Sequence, residues 1–376
     1  MKTQKLPNIY RIISLIAVLS TFFIRPFAMG LEYSIPGFIV CAILGYYVYN
    51  TLPHTTKNSK KIFILIFWFY LIATLLTSLD PRDYITRLGG ATIAYMLCCN
   101  QTFMQLYFRY FKNMMLFICI CAIINFVLEM FFSVDSLQIC HIDFPEDQYE
   151  YYLSFPFSLS KMMLSFDNSI EGALNFLIGD HRRQYLFFVE PGMAPPFIMG
   201  LACILYYNRS KRFVIQIVIL IVALFFTFST TGVLLFLASI FLYYFFTHKH
   251  KFSIRFILIC AGMGLATIYG YLYMPVFGRN AKLNSSAGVS IEDHEHIMGY
   301  VYIGTIVLLV LCFIIRRYKK ASNFFMIISC LLLVGYLANY IAFTFLFTMF
   351  LFYDQDLPVE NNKKQHSLAK MYKSRP

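Results

Sequence analysis

The stretch MMLFICICAIINFVLEMFFS, residues 114–133, decides the class of this protein. It contains one charged side chain, that of Glu129, and is otherwise almost entirely apolar. A helix of about 20 residues is about 30 Å long, which matches the hydrocarbon core of a bilayer. The stretch therefore predicts a helix that crosses a membrane.

Apolar stretches of similar length recur along almost the whole chain. Of its 376 residues, 59% are hydrophobic and only 13% are charged, which excludes an ordinary soluble domain. The predicted spans are 12–29, 37–52, 62–79, 88–107, 114–133, 191–207, 213–228, 232–247, 255–275, 297–315, 324–338 and 341–353. The expected fold is an all-α polytopic membrane protein of about 12 transmembrane helices (range 10–12), forming a single integral membrane domain over 1–376.

Lysine and arginine predict the orientation of these spans. The net charge of +12 comes from short basic clusters between apolar runs, a pattern of membrane topology rather than of nucleic-acid binding. The clusters are Lys2/Lys5/Arg11, Lys57/Lys60/Lys61, Arg109/Lys112, Arg209/Lys211/Arg212, Lys249/Lys251/Arg255, Arg316/Arg317/Lys319/Lys320 and the basic tail 354–376. All of them face the cytoplasm if both termini are cytoplasmic.

The remaining loops are then predicted to lie outside. They are 30–36, 80–87, 134–190, 229–231, 276–296 and a short turn at 339–340. The long loop 134–190 begins with an acidic part and ends in GDHRRQ. Between these parts, YYLSFPFSLSKMMLSF (151–166) mixes aromatic residues with serines, which predicts an interfacial segment lying against the bilayer. The second loop, 276–296, is short.

Glu190 is the first candidate site residue, within RRQYLFFVEPGMAPPFIMG (182–200). Pro191 and Gly192 impose a bend, and Pro195 and Pro196 suit the first turn of a helix. One interpretation is a carboxylate that is stabilised at a helix entry by the macrodipole. The other is a fixed carboxylate facing an outer cavity, as a general base or as a group that orients an arginine.

Arginines on the same predicted side indicate an anionic ligand. Arg182, Arg183 and Arg279 are the main candidates, and Arg82 and Arg87 in DPRDYITR (80–87) are further ones. Arginine makes bidentate contacts with phosphate, and a lipid pyrophosphate would offer one at the membrane surface. The alternative is that these side chains contact lipid headgroups or pair with nearby acids.

Two polar segments complete the candidate site. EDHEH (292–296) holds His294 and His296, which suit proton transfer or phosphate binding, although a solvated loop explains them equally simply. Ser229 and Thr230 in TFSTTG (227–232) either contact substrate or only cap a tight turn. No metal-ligand spacing or cofactor motif stands out, and nine of the ten cysteines lie in apolar runs, so no metal, cofactor or disulfide framework is predicted.

The arrangement of these features resembles the O-antigen polymerase family, with O-antigen ligases as relatives. The resemblance rests on the span count, the long outer loop ending in Arg182-Arg183 and FVEPG, the TFSTTG hairpin, Arg279 in the second loop, and HEHIMGYVYIG (294–304). It covers about residues 134 to 315 and implies a fold similar to the GT-C type membrane glycosyltransferases.

The resemblance implies an inverting, metal-independent glycosyltransferase of the bacterial cytoplasmic membrane. Donor and acceptor would be glycans on undecaprenyl pyrophosphate, the product a surface polysaccharide such as O-antigen, capsule or exopolysaccharide, and the partners a chain-length regulator and a flippase. Arg182, Arg183 and Arg279 would stabilise the leaving pyrophosphate, with Glu190 or a histidine as base. The alternatives are a ligase-type transferase and, from another class, a lipid-linked oligosaccharide flippase or transporter; the chain has no internal repeat that would favour transport.

Overall fold

The computed structural model describes residues 7–24, 27–56, 59–77, 81–143, 150–161, 183–188 and 212–227, and the single positions 194, 197, 198, 201, 202, 205, 262, 349 and 352. The predicted spans 232–247, 297–315 and 324–338, the outer loop 276–296 and the tail 354–376 lie outside these residues. Everything below concerns the described part of the chain.

Helices dominate this part of the chain. They are α1 (Asn8–Thr21), α2 (Gly30–Thr51), α3 (Ser59–Thr77), α4 (Pro81–Cys98), α5 (Gln101–Glu129), the short α6 (Val134–Leu137) and α7 (Phe213–Phe226). Of the described helices, α5 is long and apolar enough to cross a membrane by length and composition, and α1 and α7 are shorter apolar helices.

Helix α1 exposes five of its large apolar residues, while it buries small and polar residues together with Tyr10, Ile13 and Val18. Its buried positions include Ser14, Ala17, Ser20 and Thr21. Its exposed positions include Ile9, Ile12, Leu15, Ile16 and Leu19. The Thr21 hydroxyl donates to the Ala17 carbonyl at 2.7 Å and lies 2.6 Å from the Tyr107 hydroxyl of α5. This distribution is the reverse of a water-soluble helix and is typical of helices that pack together within lipid.

Helices α1 and α2 approach each other closely at Gly37. A Cβ atom built on Gly37 would lie 2.9 Å from the Ser20 carbonyl oxygen and 3.0 Å from Cβ of Phe23. Gly45, two turns further along α2, has more room, because the nearest atom to its Cβ would be Cβ of Met96 at 3.4 Å. Small residues at such contacts allow helix backbones to come together in membranes.

Gly37→Ala is therefore expected to lower the stability of the purified protein by about 1–3 kcal/mol, the usual cost of overpacking. The matched control is Gly45→Ala on the same helix, which should leave the melting temperature close to that of the wild type. Thermal unfolding in detergent measures both variants. Equal melting temperatures for Gly37→Ala and Gly45→Ala would contradict the close contact between α1 and α2.

The turn between α2 and α3 contacts the junction between α4 and α5. The Thr56 hydroxyl donates to the Cys98 carbonyl at 2.6 Å, and Nδ2 of Asn100 donates to the Pro53 carbonyl at 2.9 Å. Asn100 also caps α5, because its side-chain oxygen accepts from the backbone N–H of Phe103 at 2.9 Å. These two connections thus lie on one side of the helices.

A second group of connections meets on the opposite side. The backbone N–H of Ala28, between α1 and α2, donates to the Phe187 carbonyl at 2.8 Å. The rings of Phe126 and Phe226 stack at 4.1 Å, so the C-terminal ends of α5 and α7 lie side by side. All of these segments belong to connections, or to helix ends, that the basic clusters predict to be outside.

The long loop contains a four-stranded antiparallel sheet in the order β1-β2-β3-β4. Its strands are β1 (Gln138–Asp143), β2 (Glu150–Ser154), β3 (Ser158–Lys161) and β4 (Arg183–Gln184). Tyr152 is opposite Ser160, and Ser160 is opposite Gln184. The all-α prediction does not hold for this segment. The residues 151–154 and 158–161 pair as strands.

Four predicted boundaries are wrong, and one of them is the predicted connection 108–113 with Arg109 and Lys112, which lies within α5. The predicted loop 80–87 is helical from Pro81, a residue well suited to the first turn of a helix. The predicted span 88–107 crosses the junction at Asn100, where capping ends one helix and starts the next. The predicted loop 30–36 lies within α2, which tolerates Pro36 because Tyr33 is non-helical just before it.

Candidate functional site

Strand β4 is fastened to the end of α5 by buried amide side chains. Nε2 of Gln184 donates to Oδ1 of Asn125 at 2.9 Å, and the Ser158 hydroxyl donates to Oε1 of Gln184. Nδ2 of Asn125 in turn donates to the backbone carbonyl of Phe155 at 2.9 Å. Asn125, Ser158 and Gln184 are all fully buried. This amide network therefore holds the residue before Gln184, which is Arg183, in a fixed position.

The register of the sheet gathers charged residues at one end. Lys161 is directly opposite Arg183 on β3 and β4, and Asp143 is directly opposite Glu150 on β1 and β2. Residues opposite each other on antiparallel strands lie on the same face, with Cβ atoms about 5 Å apart. The paired positions Lys161 and Arg183 therefore bring two basic residues to one edge of the sheet, called here the cationic edge.

The chain after β4 makes a strained and tightly packed turn. Leu186 and Phe187 have φ angles of 51° and 64°, in the left-handed region that residues other than glycine rarely adopt. Phe187 stacks on Phe157 with ring centroids 4.8 Å apart, and Phe188 stacks on Phe27 at 4.7 Å. Strain of this kind persists where packing enforces it, and it is common next to functional groups. Here it lies directly before the FVEPG segment.

Glu190 itself lies outside the described residues, two positions beyond Phe188. The described positions that follow it, residues 194, 197, 198, 201, 202 and 205, are helical. Ala194, Phe197, Ile198, Leu201 and Leu205 are buried, at the spacing of one helix face. Phe197 lies 5.2 Å from Phe188, ring to ring. Described residues on both sides of Glu190 are thus held against the same aromatic group.

The other predicted site residues differ in how far the structure describes them. Arg87 is buried within α4, and Arg82 lies in the first turn of that helix. Arg183 is the first residue of β4. Arg182, Arg279, His294, His296, Ser229 and Thr230 lie outside the described residues. The structure therefore brings no two of the predicted site residues together within its described part.

Two residues of α5 belong to this region although the sequence did not mark them as candidate site residues. They are Asn125 and Glu129, both buried, with Glu129 only 6% exposed. A spacing of four residues places them on the same face of α5. Polar residues within an apolar run are the signal that could have identified them. Lys161 could not be identified in this way, because the residue that it pairs with, Arg183, is distant in sequence.

Among the described residues, no group of three histidine, cysteine or acidic side chains is arranged to hold a metal ion. The described cysteines are free thiols; Cys140 on β1 is exposed and the other five are buried. Comparison with protein-family models, with curated proteins and with solved structures gives no significant match.

Proposed function

We propose that this chain is a membrane glycosyltransferase that polymerises oligosaccharide units linked to undecaprenyl pyrophosphate, on the outer face of the bacterial cytoplasmic membrane. Its membrane location is supported by the composition of the chain and by α1, which exposes large apolar residues and buries small polar ones. The proposed sidedness rests on the basic clusters, which fall between apolar runs of the sequence.

The observation that carries the proposal is the amide network that anchors β4. It holds Arg183, paired with Lys161, at the end of an apolar helix, where the pyrophosphate of a membrane lipid would lie. Transfer requires that the bond between the anomeric carbon and the pyrophosphate oxygen breaks, and the departing group takes the bonding electrons. Fixed cationic groups stabilise that developing charge at no cost of reorganisation.

The remaining roles fall to residues of the outer loops. Attack by an acceptor hydroxyl from the opposite face of the sugar inverts the anomeric carbon and releases a proton. Glu190, His294 or His296 accepts that proton, and Arg182 and Arg279 add positive charge around the pyrophosphate. The strained turn at Leu186 and Phe187 supports this assignment, because these residues are four and three positions before Glu190.

Deletion of the gene, with complementation by the wild type, tests the proposed function. The surface polysaccharide should change from a ladder of lengths to single repeat units, and the plasmid-borne gene should restore the ladder. Purified protein in vesicles should lengthen a lipid-linked repeat unit with release of undecaprenyl pyrophosphate.

Two other outcomes would overturn the proposal. A surface with no glycan at all, with finished polymer left on its lipid carrier, would assign the chain to the ligases. Lipid-linked units that accumulate on the inner leaflet would assign it to the flippases.

A further inference from the structure

The sheet has an apolar end and a charged end. At the apolar end, Phe155 and Phe157 are exposed on the turn between β2 and β3, and Ile139 is exposed on β1; together with Phe131 and Phe132, which are exposed between α5 and α6, they are called here the aromatic foot. Phe131 is 76% exposed and Phe155 is 54% exposed. At the other end lie the paired positions Asp143–Glu150 and Lys161–Arg183.

The aromatic foot is continuous with the exposed side of α5. The ring of Phe157 lies 6.2 Å from that of Phe117 on α5. Phe117 is exposed, and Ile120, Ile124 and Val127 continue the exposed apolar surface towards the end of the helix. Phe117 is 12 residues before Glu129, which is about 18 Å along the helix axis. The turn between β2 and β3 thus reaches well below the end of α5.

The backbone N–H and carbonyl of Phe155, in this turn, are both paired within the protein. The N–H of Phe155 donates to the Leu137 carbonyl at 2.8 Å, and its carbonyl accepts from Nδ2 of Asn125 at 2.9 Å. In hydrocarbon, an irregular backbone is tolerated only if the protein satisfies its polar groups. Phe155 therefore exposes an apolar side chain while its own N–H and carbonyl have partners, as contact with lipid requires.

We propose that the aromatic foot inserts into the outer leaflet of the membrane, at the boundary between headgroups and acyl chains. Aromatic side chains favour this boundary, and exposed apolar residues are costly in water. The occupant is lipid rather than a protein partner because the foot continues the exposed apolar surface of α5. Insertion sets the height of the sheet, so that the charged end with Lys161 and Arg183 faces away from the hydrocarbon.

Tryptophan fluorescence in vesicles of brominated phosphatidylcholine tests this insertion. The chain has one tryptophan, Trp68, exposed on α3, which serves as the internal reference for lipid contact. In a Trp68→Phe background, Phe155→Trp should lose as large a fraction of its fluorescence as Trp68 does in the wild type. Phe131→Trp should behave in the same way, and it replaces the most exposed side chain of the foot.

The matched control is Glu150→Trp, at the opposite end of β2 and about 17 Å from Phe155 along the strand. It should keep its fluorescence in brominated lipid. If Trp68 is quenched but neither Phe155→Trp nor Phe131→Trp is, the foot does not touch lipid and the inference falls. The inference depends only on the membrane location of the chain, so it would survive if the chain proved to be a ligase or a flippase.

Discussion

Replacement of Arg183 by alanine is expected to slow polymerisation about ten- to a hundredfold. A hydrogen bond to a charged group contributes about 1.5–3 kcal/mol, and each 1.36 kcal/mol is about tenfold in rate. Arg183 stands at a fixed edge of the sheet opposite Lys161, so the charge that develops on the leaving pyrophosphate would lose its best-placed partner. The rate is measured with purified protein in vesicles and a lipid-linked repeat unit, and the polysaccharide ladder is measured in cells.

Two further variants make this prediction specific to the site. Arg183→Lys keeps the charge but not the bidentate geometry, and it should give an intermediate rate. Arg212→Ala removes an exposed arginine next to the start of α7, on the predicted cytoplasmic side, and should leave the rate unchanged. A wild-type rate for Arg183→Ala, in protein inserted at normal levels, would remove Arg183 from the site.

The second large effect is expected from Asn125→Ala, which breaks the amide network under β4. The change leaves Nε2 of Gln184 and the carbonyl of Phe155 without their partners, and each buried group left unpaired costs about 1–3 kcal/mol. We expect β4 to separate from α5, with loss of polymerisation and a lower melting temperature. Both are measured on the same purified protein.

The control for this change is Asn113→Ala, which removes an exposed asparagine on the same helix and should be neutral. A double-mutant cycle with Gln184→Ala should give a coupling energy of about 1 kcal/mol or more, as for other residues in direct contact. Additive effects of the two changes would mean that Asn125 and Gln184 act separately, contrary to the network described above.

Local sequence predicted some helices well and others poorly, and the difference has a physical cause. Helix α7 was predicted at 213–228 and lies at Phe213–Phe226, because basic residues and a polar turn bound its apolar run. The junction of α4 and α5 was missed because it depends on distant contacts. Asn100 bonds to Pro53, a residue of another connection, and no local pattern reveals that partner.

The sheet and the cationic edge could not be predicted from the sequence for a similar reason. The segment 150–161 mixes aromatic residues with serines, and its local sequence does not show which residues it pairs with; the contacts with β1 and β4 do. Lys161 becomes a candidate site residue only because the strand register places it opposite Arg183. The arginines and Glu190 were found because charged groups beside apolar runs are unusual by composition alone.

The outer location of the sheet is the claim on which the site, the foot and the mechanism all depend, and Cys140 tests it. Cys140 is exposed on β1, whereas the other described cysteines are buried. Burial raises the pKa of the Cys99 thiol to about 11, which keeps its reactive thiolate scarce at neutral pH.

A membrane-impermeant maleimide applied to intact spheroplasts should label Cys140 in the wild-type protein. The Cys140→Ser variant should lose that label, and any label that it retains measures the background from the remaining cysteines. Labelling of Cys140 only after the membrane is permeabilised would place the sheet in the cytoplasm and contradict the account.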